Sequence, residues 1–128
     1  EGPGRCGIYF AGDTAPFAGM RDFASRVDLA LLPVGSWGPH VGPGHLTPRT
    51  AASVARELAA RVAVPIHWGT LYPPRLDRLL RRRLIEPADR FVAWAARLAP
   101  DVEVRSLQPG EATKAMNSGK AAERKDPT

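Results

Sequence analysis

The residues of this chain that could do chemistry are few: three histidines, one cysteine and a scatter of carboxylates. Imidazole and carboxylate groups are the common proton carriers and metal ligands of proteins. Asp13 sits in Gly12-Asp13-Thr14, directly after the apolar run Gly7-Ile8-Tyr9-Phe10-Ala11. His67 follows the apolar run Val62-Ala63-Val64-Pro65-Ile66. His40 and His45 lie in a Gly/Pro-rich stretch from Gly35 to His45, together with Trp37. Taken singly, an aspartate after glycine is commonly a turn residue, and a lone histidine at a strand end is commonly a satisfied structural group. Their shared placement carries more weight. Asp13, the 35–45 loop and His67 each follow the end of an apolar run, which is where α/β folds gather their active groups. No two histidines are two residues apart, and Cys6 is alone, so neither a disulfide within the chain nor a cysteine-based zinc site can form. The lone thiol favours a reducing, cytoplasmic setting.

The elements that must position these groups can be read from periodicity. Residues 7–11 form a short run with aromatic and β-branched members, the pattern of a strand entering a tight turn. Phe17, Met20 and Phe23/Ala24 recur at helical spacing after Pro16, which predicts a short helix. Residues 28–34 form a continuous apolar run, as in a strand covered on both faces. Thr47 followed by Pro48 is an N-cap with proline at the first helical position. The stripe Ala51, Val54, Ala55, Leu58, Ala59 and Val62 is the expected buried face. Residues 62–66 read as a third strand. Pro87 opens a further helix with Phe91, Val92, Trp94, Ala95 and Leu98 on its apolar side, and residues 102–107 close as a strand. Alternation of strands and helices indicates an α/β fold.

Composition places limits on partners. The chain has 128 residues, 44% hydrophobic, with a formal net charge of +5. No stretch approaches the roughly 20 apolar residues that span a bilayer, and no signal-peptide pattern is present. The charge is local. Residues 75–84 hold five arginines against Asp77, whereas outside this cluster and the polar stretch 111–128 the two signs balance at nine each. A whole-domain nucleic-acid binder is therefore not indicated. Leu76, Leu79, Leu80 and Leu84 share one helical face in this segment, with the arginines largely opposite. That is the pattern of a solvated helix face, and also that of an amphipathic lid that meets anionic groups. Beyond Gly110 the chain is rich in Lys, Glu and Ala without bulky apolar periodicity, so the ordered domain is expected over 1–110 and a disordered polar tail over 111–128.

Three motifs in order resemble the latter half of metallo-β-lactamase-fold hydrolases: Tyr9-Phe10-Ala11-Gly12-Asp13-Thr14, Gly42-Pro43-Gly44-His45-Leu46-Thr47-Pro48, and Pro65-Ile66-His67-Trp68-Gly69-Thr70. The branch that looks most similar contains N-acylphosphatidylethanolamine-hydrolysing phospholipase D and the ascorbate-6-phosphate lactonases. The resemblance covers about residues 7–110 and implies the C-terminal half of an αββα sandwich. It also implies a centre of two metal ions, usually zinc, with Asp13 as the bridging ligand and His67 as a terminal ligand. Both would be catalytic. His45 would border the substrate, and Trp37 and His40 would line the same pocket. The family's His-x-His-x-Asp-His motif has no counterpart here. Since zinc sites take at least three protein ligands, this chain alone is expected to be inactive, its missing ligands lying upstream of Glu1 in the other half of the fold.

The function implied is hydrolysis of a phosphodiester, lactone or related ester, acting on a small or lipid-like substrate with no nucleic acid involved. Two other classes stay open on the residues alone. One is a non-catalytic remnant that keeps the fold as a scaffold. The other is a binder of nucleic acid or anionic surfaces through the arginines at 75–83.

Overall fold

The computed structural model describes residues 6–35, 42–69, 75 and 81–115. Four parallel strands form one sheet in the order β1-β2-β3-β4: β1 Ile8–Phe10, β2 Leu29–Pro33, β3 Val62–Ile66 and β4 Glu103–Val104. A 3₁₀ helix, Met20–Arg26, connects β1 to β2; α1, Pro48–Glu57, connects β2 to β3; α2, Arg81–Leu98, connects β3 to β4. Crossovers between parallel strands are right-handed in about 98% of cases. Taken one after another in spatial order, they put every connecting helix on the same face of the sheet.

Burial follows that rule. Tyr9, Ala30, Leu32, Ala63 and Val104 pack with the helices, in a cluster centred on Met20, Leu58 and Phe91. Small side chains let the layers approach: Ala51, Ala52 and Ala55 of α1, and Ala88 and Ala95 of α2, are all essentially inaccessible. The register pairs Ile8 with Leu29 and Leu29 with Val62, so the opposite face carries Ile8, Phe10, Leu29, Leu31, Val62, Val64 and Ile66. Leu107 and Ala115 cover its β3 side. At β1, Ile8 and Phe10 remain 58% and 65% exposed. The expectation that strand 28–34 is covered on both faces is thus only partly met, because Leu31 is half-buried.

Local signals explain most element bounds. The Thr47 hydroxyl accepts from the Thr50 amide at 3.1 Å while the Thr50 hydroxyl accepts from the Thr47 amide at 2.7 Å, a reciprocal cap. Three expectations need correction. Pro87 does not open α2 but lies inside it. Its missing amide costs one intrahelical bond, yet Ala88, Phe91 and Ala95, directly after it, form a fully buried stripe that outweighs that loss. Val92, expected on the apolar side, is 40% exposed. Ala59, expected in the α1 stripe, is exposed, and Ala52 is buried in its place. Ala59 is the residue after the C-cap Leu58 and has φ +45°, so the chain has already left the helix there.

The packed chain also continues beyond Gly110. Arg105 donates to the Thr113 hydroxyl and the Lys114 carbonyl, and Arg61 donates to the Ala115 carbonyl at 2.6 Å. Arg105 also holds Glu103 at 2.7 Å, and that hydrogen bond lowers the Glu103 carboxyl below the ordinary glutamate range.

Candidate metal centre

The carboxyl ends of the strands are released from the sheet by two prolines. The ladder alternates sides, so the residue pair Leu31 and Pro33 faces β1, while Ala63 and Pro65 face β4. The Ala11 amide donates to Leu31 and the Arg105 amide to Ala63, and these are the last ladder bonds on their sides. The next donor in each case would be the proline nitrogen, which carries no hydrogen. Side chains then claim nearby carbonyls. The Thr14 hydroxyl donates to the Ala11 carbonyl at 2.6 Å, and the Trp68 indole donates to the Pro65 carbonyl at 3.0 Å. Strand β1 therefore ends where its sequence turns into Gly12-Asp13-Thr14, whereas β3 loses its β4 partner past Ala63 but stays bonded to β2 through Ile66 before turning into His67-Trp68-Gly69.

Asp13 and His45 are brought together. Gly12 takes φ +63° to turn the chain, and the Asp13 carboxylate meets His45 Nδ1 at 2.6 Å across 32 residues of sequence. His45 reaches it from a firmly held backbone. Leu46, the next residue, is fully buried, and Thr47 begins the reciprocal cap of α1. The pair itself is exposed, with side chains 56% and 32% accessible for Asp13 and His45.

His67 is held separately. Its Nδ1 lies 2.8 Å from the Gly35 carbonyl. A carbonyl only accepts, so Nδ1 donates, and in the neutral ring the lone pair then resides on Nε2. That is the arrangement by which an outer carbonyl orients a metal-ligating histidine. The backbone of His67 has φ +60°, a conformation uncommon outside glycine and concentrated at functional sites. Gly35 makes it possible: a Cβ there would sit 2.5 Å from the His67 carbonyl oxygen. Sequence reasoning missed Gly35, whose only signal is a glycine directly after an apolar run.

A cleft of about 470 Å³ opens beside His67, bounded by Ile66–Gly69, by Leu84 and Ile85 of α2, and by residues 107–111. Its walls are mostly apolar, with His67, Gln108 and Glu111 as polar members. Trp37 and His40, expected to line the pocket, lie outside the described residues, as do residues 76–80; Arg82 is exposed on the first turn of α2. Among the described residues no group of three His, Cys, Asp or Glu side chains is placed to hold a metal ion. No described helix is long and apolar enough to cross a membrane.

A family model, the Beta-lactamase superfamily domain, matches residues 2–68, more than half of the chain and including Asp13, His45 and His67. The chain belongs to the beta-lactamase superfamily. Its relatives in that superfamily include a UPF0173 metal-dependent hydrolase of Nitratidesulfovibrio vulgaris, 36% identical over 106 residues, covering 81% of this chain and 38% of the relative. A UPF0173 metal-dependent hydrolase of Deinococcus radiodurans is 38% identical over 107 residues, covering 83% and 39% respectively. This superfamily member thus spans about two fifths of the length of the curated relatives it matches. Among solved structures, Igni18, a metallo hydrolase from Ignicoccus hospitalis, superposes with a TM-score of 0.51 at 24% identity over 80% of this chain and 39% of that one. The α/β expectation and the metallo-β-lactamase fold are borne out.

Proposed function

We propose that this chain supplies Asp13 and His67 to the metal centre of a metal-dependent hydrolase acting on a phosphodiester, lactone or related ester. The observation that carries this reading is the fixed tautomer of His67: Nδ1 is committed to the Gly35 carbonyl, leaving Nε2 as a ligand atom at a strand end. The donors suit zinc, which takes imidazole nitrogen and carboxylate oxygen. The relatives' printed names support the metal dependence. A zinc pair supplies Lewis acidity and a water of lowered pKa. Asp13 and His67 would hold it, with His67 Nδ1 bound to the Gly35 carbonyl and the Asp13 carboxylate in contact with His45. The apolar cleft beside His67 would exclude water from one side of a substrate.

Two ligands leave a zinc shell mostly open. The 128-residue chain is therefore expected to take up zinc weakly in calorimetry; tight stoichiometric binding would show that the ligand set has been misassigned. The reading frame upstream of Glu1 is the direct check on the remaining ligands, because it either encodes a His-x-His-x-Asp-His motif or lacks one. In a polypeptide that joins this chain to such a segment, His67→Ala and Asp13→Ala should each reduce ester or phosphodiester hydrolysis by orders of magnitude with the fold retained. Near-normal turnover of either variant at matched metal content would end the two-metal reading.

A further inference from the structure

We propose that His45 is a positioning residue, which holds the Asp13 carboxylate in one orientation for a divalent cation, rather than a substrate contact. The proposal rests on the reading above that Asp13 is a metal ligand. Its basis is the 2.6 Å contact between His45 Nδ1 and Asp13 Oδ1, which joins a turn after β1 to the loop before α1. Oδ1 accepts from the ring, and Oδ2 takes no part in that bond.

Stability does not explain the pair. Exposed polar pairs contribute little to stability, and both side chains here are substantially accessible. What the pair does remove is freedom. The backbones on either side are already fixed, by Gly12 and the Thr14–Ala11 bond for Asp13, and by buried Leu46 and the Thr47–Thr50 cap for His45. Without His45, the aspartate side chain would retain its rotamers in water, and a cation would have to select among them. Hydrogen-bonding partners of metal ligands commonly account for about 10–100-fold in metal affinity.

The test uses the isotope-labelled 128-residue chain, zinc alone, and NMR shifts at Asp13, His45 and His67. His45→Ala should weaken zinc binding at Asp13 by about tenfold or more. His45→Asn, whose side-chain nitrogen can donate in place of Nδ1, should recover most of the loss. The thermal midpoint should barely move in either variant. Equal affinity in His45→Ala and the parent chain would overturn the proposal, as would ring-nitrogen shifts showing that His45 itself coordinates zinc. Asp13→Asn separates the two readings. If it loses zinc while His45→Ala does not, only the positioning role fails; if it binds zinc as the parent does, Asp13 is no ligand and the proposed function fails with it. A second readout needs no metal. The Asp13 χ1 couplings should report one rotamer in the parent chain and His45→Asn, and averaging in His45→Ala. Averaging already in the parent would overturn the proposal.

Discussion

At the scale of single residues, the candidate site depends on a glycine as much as on its ligands. Gly35 leaves no room for a methyl group against the His67 carbonyl. Gly35→Ala should cost about 1–3 kcal/mol, as overpacking does, and should shift the His67 ring resonances; denaturant titration and NMR check both. Unchanged stability with unchanged His67 shifts would mean that the two strand ends are not in contact. Asp13 and His67 were legible as candidates because motif order and strand-end placement singled them out. Their partners were not. The Asp13–His45 contact joins positions 32 residues apart, and nothing in local composition encodes which loop histidine will face which turn. The resemblance implied that His45 borders the substrate, and the structure adds a partner for its ring that the sequence did not announce, the Asp13 carboxylate. Gly35 was invisible for a related reason, since its role is defined by the strand beside it.

At the scale of elements, caps and strand patterns were the readable part. Thr47 and Pro48 mark the start of α1, and Val62–Ile66 is β3 with the expected bounds. Thr47→Ala should destabilise the protein by about 1 kcal/mol, the usual cost of a lost N-cap, measured by urea unfolding. Ala59→Gly should act in the opposite sense. Ala59 is exposed with φ +45° just past the helix end, where glycine avoids a strain of about 1–2 kcal/mol. The gain is partly offset by the greater freedom of glycine in the unfolded chain, leaving about 0.5–1 kcal/mol of stabilisation. Pro87 misled the reading because proline is judged by local rules, while α2 is held by what it packs against. The segment after β4 was unreadable as structure because polar bonds from Arg105 and Arg61, not apolar periodicity, attach it. Arg105→Ala should therefore speed amide exchange and proteolysis across residues 111–115 and leave α1 unaffected. Acid should act the same way. The lowered Glu103 carboxyl favours the folded state above the ordinary glutamate range, a contribution lost as pH falls through its folded-state value.

At the scale of the whole molecule, one face of the sheet is covered by helices and the other is apolar, open at β1 and partly covered at β3. Burying such surface is worth roughly 25 cal/mol per Å², and a contiguous exposed patch of this kind marks an interaction site or an aggregation hazard. The 128-residue chain by itself should therefore self-associate or bind hydrophobic dyes. Phe10→Lys, on the exposed edge strand, should reduce both without lowering the unfolding midpoint. Sedimentation and dye fluorescence check this, and a monomeric parent chain with a cooperative transition and no dye binding would contradict it.

The two prolines at the strand ends also bear on how the sheet finds its alignment. A strand as short as β4 could slide along its neighbour, because two residues carry little side-chain information. A one-residue slide would turn Val104 out of the core. A two-residue slide keeps every side chain on its proper face, and packing alone would not forbid it. That slide, however, would set Val104 against Pro65 and leave the Glu103 carbonyl waiting for a hydrogen that the proline nitrogen does not have. In that direction the alignment of β4 is fixed by an absence, and Pro65→Ala would restore the forbidden pairing as a competitor.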